Sequence, residues 1–321
     1  MDAEQSRQSA PNVDGSGGRS RSADSRFGER LFRRDASGAP IAIDWPALKS
    51  STGAAPPTVH RALRLLRRLA LAAEERGGFE KRALLLCADD IAHAADDVVR
   101  AHECGTARPS HPSDDAEVRE FVQRFERWPS RGEQPAEVRD ALEAELQRAG
   151  AHDGDECVDA ARFFMGKSIA DLASPTNESI ALASRVHVDF LNATAYAYYL
   201  PIVIAWVLTQ RPVYEDGTGL LLRMCPVHSD VYAGRGGCFA RLVRALGATV
   251  GPLRPDGTDW HREGFQSSLG CVGAVQREAF YDFLRFFLRR SDLYPDFDSL
   301  ALAAVCYHFF WKDRANWAVE S

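Results

Sequence analysis

The sequence predicts a mainly α-helical protein with a helical hairpin region, a C-terminal helical domain rich in aromatic residues, and a disordered N-terminal tail. Three observations lead to this prediction. Apolar residues recur every three or four positions over long stretches, as they do on the buried face of a helix. The second half of the chain is dense in aromatic residues. Residues 1–28 consist mostly of Ser, Gly, Arg and Asp, which cannot bury enough apolar surface to fold.

After this tail, residues 29–130 are expected to form the helical N-terminal region. The segment 41–48 alternates apolar and polar residues, which indicates a short edge strand or an anchor built on Trp45. The helical hairpin follows, with a glycine pair between its first helix and a second helix over 79–103. The first helix is predicted from apolar residues at helical spacing, namely Val59, Ala62, Leu66, Leu69 and Ala73.

The composition changes near residue 130. The segment 129–135, PSRGEQP, combines proline, glycine and charged residues and separates two predicted helices. The helix before it ends ahead of Pro129, and a charged helix follows over 135–149. We therefore predict a domain boundary here, with residues 135–321 as the second, helical domain.

An uncharged run over 190–210 has about the length that crosses a bilayer. It also contains Asn192, Thr194, three tyrosines and Pro201, and it lacks the basic flank that fixes the orientation of a membrane helix. These residues favour a buried helix that is kinked or restarted at Pro201 over a membrane span.

Two strongly apolar helices are predicted to close the chain, over 272–290 and 299–312. In the first of them, Val275, Ala279 and Phe283 are expected on the buried face together with Phe286. Aromatic residues at helical spacing are typical of packing. The expected core of the second domain is Phe163, Phe164, Tyr198, Tyr199, Trp206, Phe283, Phe287, Phe309 and Trp311.

The net charge and the cysteine content limit the cellular compartment and the classes of partner that we expect. The formal net charge of -6 gives no overall attraction to nucleic acid or to anionic membranes, so we expect neither as a partner. Arg61, Arg64 and Arg68 form a basic stripe, which is either a docking face for an acidic protein or a solvated face. The 7 cysteines include no CxxC pair, and the N-terminus has no apolar leader, so a cytoplasmic location is expected.

The segment ARFFMGKS, residues 161–168, matches a relaxed phosphate-binding loop. Such a loop needs small residues so that backbone N–H groups can surround phosphate, with a lysine at its end. Here Ala161 replaces the first glycine and bulky residues fill the loop. The pattern therefore favours a helix that ends at Gly166, and we expect no nucleotide or other cofactor.

Two further groups of residues have the side chains that metal or acid–base chemistry uses. Asp89, His93 and either Asp96 or Asp97 share one face of a predicted helix, although a solvated polar face has the same spacing.

The second group is Cys225 and His228, followed by Cys238, His261 and Cys271. A structural zinc site normally has two close pairs of ligands, and only one close pair is present here. We therefore predict no metal site, while convergence of these residues in the fold stays open.

From about residue 138 to residue 311 the chain resembles a bacterial family known only as a domain of unknown function. The resemblance is carried in order by the segments FFMGKSIADL, VDFLNATAYAYYLP and AVQREAFYDFLRFF and by a last helix ending in YHFFW. The chain departs from the family pattern in its long N-terminal extension and in an insertion around 247–261. The resemblance implies a compact helical domain and brings no activity with it.

Two functions remain open from the sequence. The first is a protein-interaction or regulatory module without catalytic activity, since no complete catalytic motif is present. The second is an enzyme with a site on the loops of 225–261, with or without a metal ion. The candidate functional residues are Gly166, Lys167, Ser168, Tyr198, Tyr199, His228 and Gln276.

Overall fold

The computed structural model describes residues 28–55, 57–103, 112–126, 133–148, 156–173, 191–209, 220–221, 223–224, 260–294 and 296–317. Within these ranges the prediction of a mainly helical fold is confirmed, with 11 α-helices and one small sheet. Residues 1–27 of the predicted disordered tail lie outside the described residues. The elements are β1 (Phe32–Arg34), β2 (Pro40–Ile43), α1 (Trp45–Ala54), α2 (His60–Glu74), α3 (Gly78–Glu103), α4 (Ala116–Glu126), α5 (Ala136–Arg148), α6 (Glu156–Phe164), α7 (Ile169–Ala173), α8 (Ala193–Thr209), α9 (Trp260–Cys271), α10 (Ala274–Arg289) and α11 (Phe297–Cys306).

The segment 41–48, predicted as an edge strand or an anchor on Trp45, contains both. Strand β2 pairs with β1 in an antiparallel hairpin, with Phe32 opposite Ile43. Asp44 then caps α1, because its carboxylate accepts a hydrogen bond from the backbone N–H of Ala47 at 2.9 Å. The indole N–H of Trp45, at the start of α1, donates to Glu74 at the end of α2. Trp45 thereby holds α1 against the helical hairpin.

The predicted helical hairpin is confirmed as α2 and α3. All five apolar residues predicted on the buried face of the first helix are buried. Gly78 has a φ of 55°, a left-handed conformation that favours glycine, and α3 starts there. The basic stripe on α2 is not fully available to a partner, because the Arg61 guanidinium donates to the Asp298 carboxylate on α11 at 2.6 Å.

The uncharged run forms α8, whose residues from 195 to 208 are buried except for the half-buried Tyr198. None of the helices in the described ranges has both the length and the apolar character needed to cross a bilayer. Of the two alternatives predicted at Pro201, a kink or a restart, the restart is wrong, since a single helix runs through this residue. Proline has no N–H to donate to the carbonyl four residues earlier. The side-chain amide of Gln276 on α10 donates to that carbonyl, of Ala197, at 2.9 Å.

Aromatic side chains fill the core as predicted, and Tyr198 is the one member of the expected set that is half-buried. The prediction for α10 is wrong at Val275, which is 68% exposed. The buried face of α10 is centred on Phe280, Phe283, Leu284 and Phe287. Val275 lies five residues before Phe280, and at 100° per residue this places it on the other side of the helix.

Helices from both sides of the predicted boundary near residue 130 share this core. Helix α3 packs along α11, and α4 packs on α8. After α11 the chain makes one π-helical turn over Tyr307–Trp311. In that turn the His308 imidazole lies 2.8 Å from the Asp90 carboxylate of α3, which ties the end of the chain to the hairpin.

The Phe287→Ala variant tests the aromatic core. Phe287 is completely buried and stacks on Tyr294, with 4.9 Å between ring centroids. Its replacement should lower the free energy of unfolding by roughly 3–5 kcal/mol, since it removes apolar contacts and leaves a cavity. The matched control on the same helix is Val275→Ala, which should change that free energy by less than about 0.5 kcal/mol. Urea unfolding measures both, and equal effects would contradict the assigned face of α10.

Candidate functional site

The turn that contains Gly166, Lys167 and Ser168 ends α6 and starts α7. Gly166 has a φ of 71°, so the interpretation of this glycine as a helix C-terminus is confirmed. Its N–H donates to the Gln134 side-chain oxygen at 3.0 Å, and the Lys167 N–H donates to the Phe164 carbonyl at 3.1 Å.

The next two backbone donors of this turn are also used within the protein. The Ser168 N–H donates to the Asp171 carboxylate at 2.7 Å, and the Ile169 N–H donates to the Tyr198 hydroxyl at 3.4 Å. A phosphate-binding loop works because its N–H groups point at the ligand. The N–H groups of residues 166–169 already have acceptors, so this turn does not have the geometry of a phosphate cradle.

Tyr199 connects the turn to α8. The Tyr199 hydroxyl lies 2.6 Å from the Lys167 carbonyl and 3.0 Å from the Phe164 carbonyl, and it accepts a hydrogen bond from the Gln134 amide at 2.5 Å. Burial raises the pKa of Tyr199, so the phenol keeps its proton for donation to these carbonyls. These contacts satisfy carbonyls that the end of α6 leaves without helical partners.

The charged residues of this turn also have structural roles. The Lys167 ammonium lies 3.8 Å from the centroid of the Phe163 ring, a cation–π contact, and burial lowers the pKa of Lys167. The Ser168 hydroxyl contacts the Asp171 carboxylate at 2.7 Å at the start of α7, and this hydrogen bond lowers the pKa of Asp171.

The structure therefore brings five predicted site residues together, in a network that joins α6, α7 and α8. These residues are Gly166, Lys167, Ser168, Tyr198 and Tyr199. Gln276 has no hydrogen bond to this network: its amide donates to the carbonyl of Ala197, the residue before Tyr198, and its side-chain oxygen accepts from the Gly273 N–H. His228, Cys225 and Cys238 lie outside the described residues, as does the side chain of His261. The hypothesis of an enzyme site on 225–261 thus concerns residues that are not described.

On α3, the residues considered for metal or acid–base chemistry are held by ion pairs and hydrogen bonds. The Arg34 guanidinium donates to both carboxylate oxygens of Asp89, at 2.9 Å for one of them. His93 contacts the backbone carbonyl of Asp89 at 2.8 Å, and Asp97 pairs with Arg100. In the described ranges, no group of three or more His, Cys, Asp and Glu side chains has an arrangement that would hold a metal ion.

A groove between α4 and α10 was not predicted from the sequence. It encloses about 510 Å³, and charged side chains of both signs line it above two phenylalanines. We call it the α4–α10 groove. Its lining residues are Glu117, Glu120, Phe121, Arg124, Asp282, Arg285, Phe286 and Arg289.

The floor of the α4–α10 groove is an aromatic stack. The rings of Phe121 and Phe286 lie 4.3 Å apart between centroids with an angle of 22° between their planes. The guanidinium of Arg124 lies 5.6 Å from the Phe121 centroid, and that of Arg289 lies 5.6 Å from the Phe286 centroid. Arginine side chains commonly stack on aromatic faces in this way.

Arg290 fixes α4 against α10 at one end of the groove. Its guanidinium donates to Asp115 at 2.8 Å, to Glu117 at 2.8 Å and to Asp292 at 3.1 Å. Burial opposes its charge, but the hydrogen bonds to Asp115 and Asp292 outweigh burial and raise the pKa of Arg290. The same pairing lowers the pKa of Asp115, which also caps α4 through the backbone N–H of Val118.

Asp282 differs from the other acidic groups of this surface. Its carboxylate is half-buried on α10 and accepts no hydrogen bond from the described part of the chain. Burial raises its pKa, even though Arg285 and Arg124 lie near enough to oppose the shift. A half-buried carboxylate without a hydrogen-bond donor costs stability.

No family model matches this chain, and no curated protein and no solved structure matches it either. The resemblance of residues 138–311 to a family of unknown function stays a prediction. The function proposed for this protein therefore rests on the geometry of the molecule.

The Tyr199→Phe variant tests the hydrogen-bond network around Gly166. The change removes the hydroxyl alone and leaves buried carbonyls and the Gln134 amide without their partner, so the free energy of unfolding should fall by about 1–3 kcal/mol. The matched variant Lys167→Met keeps the aliphatic stem and removes only the cation–π contact. It should lower that free energy by less than about 1 kcal/mol. Thermal or urea unfolding compares the two variants. A larger loss of unfolding free energy for Lys167→Met than for Tyr199→Phe would contradict the structural roles assigned to the Tyr199 hydroxyl and the Lys167 ammonium.

The Asp282→Asn variant tests the unfavourable position of this carboxylate. Because the pKa of Asp282 is raised in the folded protein, the folded state holds this proton to a higher pH than the unfolded state does. The contribution of Asp282 to stability should therefore be lost as the pH rises through that range, so the free energy of unfolding of the variant should rise relative to that of the native protein. At neutral pH Asp282→Asn should be at least as stable as the native protein. Urea unfolding from about pH 3 to about pH 7, a range that includes the ordinary pKa of aspartate, measures the free energies of unfolding of both proteins. A variant that is less stable than the native protein at neutral pH would contradict the unfavourable position assigned to the Asp282 carboxylate.

Proposed function

We propose that this protein is a protein-interaction module that binds a segment of a partner protein in the α4–α10 groove. The observation that carries the proposal is the half-buried Asp282 carboxylate, which lacks a hydrogen-bond donor among the described residues and lies beside an aromatic floor. A polar group that the fold leaves unsatisfied at a concave surface is suited to contact a ligand.

The side chains of the groove suit protein recognition. Interfaces are enriched in aromatic residues and arginine, and the strongest contacts usually combine a ring with a charged group that becomes desolvated. Phe121 and Phe286 supply the rings, and Arg124, Arg285 and Asp282 supply charges of both signs. The two signs allow hydrogen bonds to both donors and acceptors of a peptide.

The groove is also held in shape before any partner binds. The ring stack and the Arg290 ion pairs fix α4 on α10. A surface that needs no reordering loses less entropy on binding, so a segment of modest size can be bound with useful affinity.

We further propose that the protein acts in the cytoplasm. The 7 cysteines without a CxxC pair support a reducing compartment, and the net charge of -6 supports a protein partner over a nucleic acid.

Site-specific photo-crosslinking tests the proposed function. A photoreactive phenylalanine analogue is introduced at Glu120, which lines the groove, and separately at Glu143, an exposed position on α5 that serves as the matched control. Irradiation in cells that express the protein should yield a defined adduct from position 120 and none from position 143. Mass spectrometry then identifies the partner and the crosslinked segment. The absence of an adduct at position 120, or the same adducts from both positions, would contradict the proposal.

A further inference from the structure

We infer that the exposed face of α2 is a second binding surface, which takes an acidic segment of a partner protein. This surface lies on a different helix from the two that form the α4–α10 groove, so the inference goes beyond the proposed function and does not depend on it. We call it the α2 basic face. Its exposed residues, which follow one another at helical spacing, are His60, Arg64, Arg67, Arg68 and Leu71.

The α2 basic face lies opposite the buried face of the same helix. At about 100° per residue, its positions fall within about 100° of the helix circumference. Arg61 lies at the edge of this face, and the Asp298 carboxylate of α11 already accepts hydrogen bonds from its guanidinium. The side chains of Arg64 and Arg67 form no hydrogen bond or ion pair with any described residue. Their guanidinium groups are therefore open to a ligand.

Positive charge is concentrated around Arg64. On a helix, a side chain meets the residues three and four positions away, and for Arg64 these are His60, Arg61, Arg67 and Arg68. Like charges at this spacing destabilise a helix. The charge also opposes the helix dipole, because the first turn of α2 contains no acidic residue. An acidic partner relieves both kinds of repulsion when it binds.

The elements beside this face supply few carboxylates to it. Helix α1 packs on α2 and contains Lys49 but no acidic residue. Helix α11 also packs on α2, and its Asp298 is paired with Arg61. The acidic residues at the end of α2, Glu74 and Glu75, lie more than one turn after the last arginine of the face. A carboxylate that pairs with the open arginines would therefore come from another molecule.

The composition of the face favours a protein segment over a nucleic acid. Leu71 is 46% exposed and lies one turn after Arg67 and Arg68. Apolar contact beside charged groups is typical of protein interfaces. The net charge of -6 repels a long polyanion, whereas a short acidic segment meets this face alone.

The spacing of the arginines indicates what the segment looks like. An arginine binds a carboxylate through two parallel hydrogen bonds, and Arg64 and Arg67 are one helical turn apart. Carboxylates one turn apart on a partner helix have the same spacing. We therefore assign to this face a helical segment that has Asp or Glu at one-turn spacing beside an apolar residue.

Charge reversal on α2 tests the inference. A displayed library of random peptides is selected against the full-length protein, and the affinities of the enriched peptides are measured by fluorescence anisotropy at about 0.15 M salt, where distant charges are screened. We expect a class of peptides rich in Asp and Glu that binds Arg64→Glu/Arg67→Glu at least about tenfold more weakly. The matched control, Arg139→Glu/Lys312→Glu, reverses two exposed basic residues on other elements and should change the affinity by less than about twofold.

The double variant on α2 should remain folded. The new carboxylate at position 64 meets Arg61 and Arg68 one turn away, so attraction replaces repulsion there. Urea unfolding of Arg64→Glu/Arg67→Glu should therefore give a free energy of unfolding at least equal to that of the native protein. A less stable variant would contradict the repulsion assigned to the α2 basic face.

The outcomes separate this surface from the α4–α10 groove. Acidic peptides that protect α2 from hydrogen exchange and lose affinity for Arg64→Glu/Arg67→Glu support the inference. A set of enriched peptides without a shared acidic residue, or acidic peptides that bind this variant as tightly as the native protein, overturns it and leaves the proposed function standing. Labelled single-stranded DNA that binds through the same arginines more tightly than any enriched peptide overturns the assignment to a protein segment.

Discussion

The contact between α4 and α10 shapes the groove that we propose as the binding surface of this protein. Phe121 stacks on Phe286, and Arg290 binds the carboxylates of Asp115 and Glu117 at the end of the same contact. The stack buries apolar surface, and the ion pairs orient one helix on the other. Because both helices pack on the buried core, the groove between them keeps a defined shape. Asp282, which accepts no hydrogen bond from the described residues, lies in this groove.

Much of the fold follows from periodicity in the sequence. The apolar spacing in α2 and α3 predicts the hairpin, and the aromatic spacing in the second half predicts the core, because burial of apolar side chains is the dominant force in folding. Gly166 is predicted to end a helix because glycine adopts the left-handed conformation at low cost. The same reasoning leaves a kink or a restart open at Pro201, and a single helix runs through this residue. The broken hydrogen bond of α8 is satisfied by Gln276, 79 positions away from Ala197, and periodicity carries no information about such a pair.

The α4–α10 groove could not be predicted either, because periodicity does not indicate which helices pack against each other. Phe286 is expected on a buried face, yet nothing in the sequence indicates that this face meets Phe121 of α4. Arg290 and Asp115 are 175 positions apart, and their pairing depends on the packing of α4 on α10. The sequence also draws attention to Lys167, whose neighbours resemble a phosphate-binding motif. In the structure the donors of that turn are used by Gln134, Tyr198 and Asp171, so the most recognisable motif supports the fold.

Recognition in the groove depends most directly on the state of one carboxylate. Carbon-detected NMR of the labelled protein, with Asp282→Asn to assign the resonance, measures the pKa of Asp282 in the absence of any partner. The structure predicts a titration midpoint above the ordinary aspartate value of about 3.9, because burial disfavours the charged form and no donor among the described residues compensates. A midpoint at or below the ordinary value in the unbound protein would show that Asp282 is already satisfied, and the recognition proposed for the groove would lose its basis.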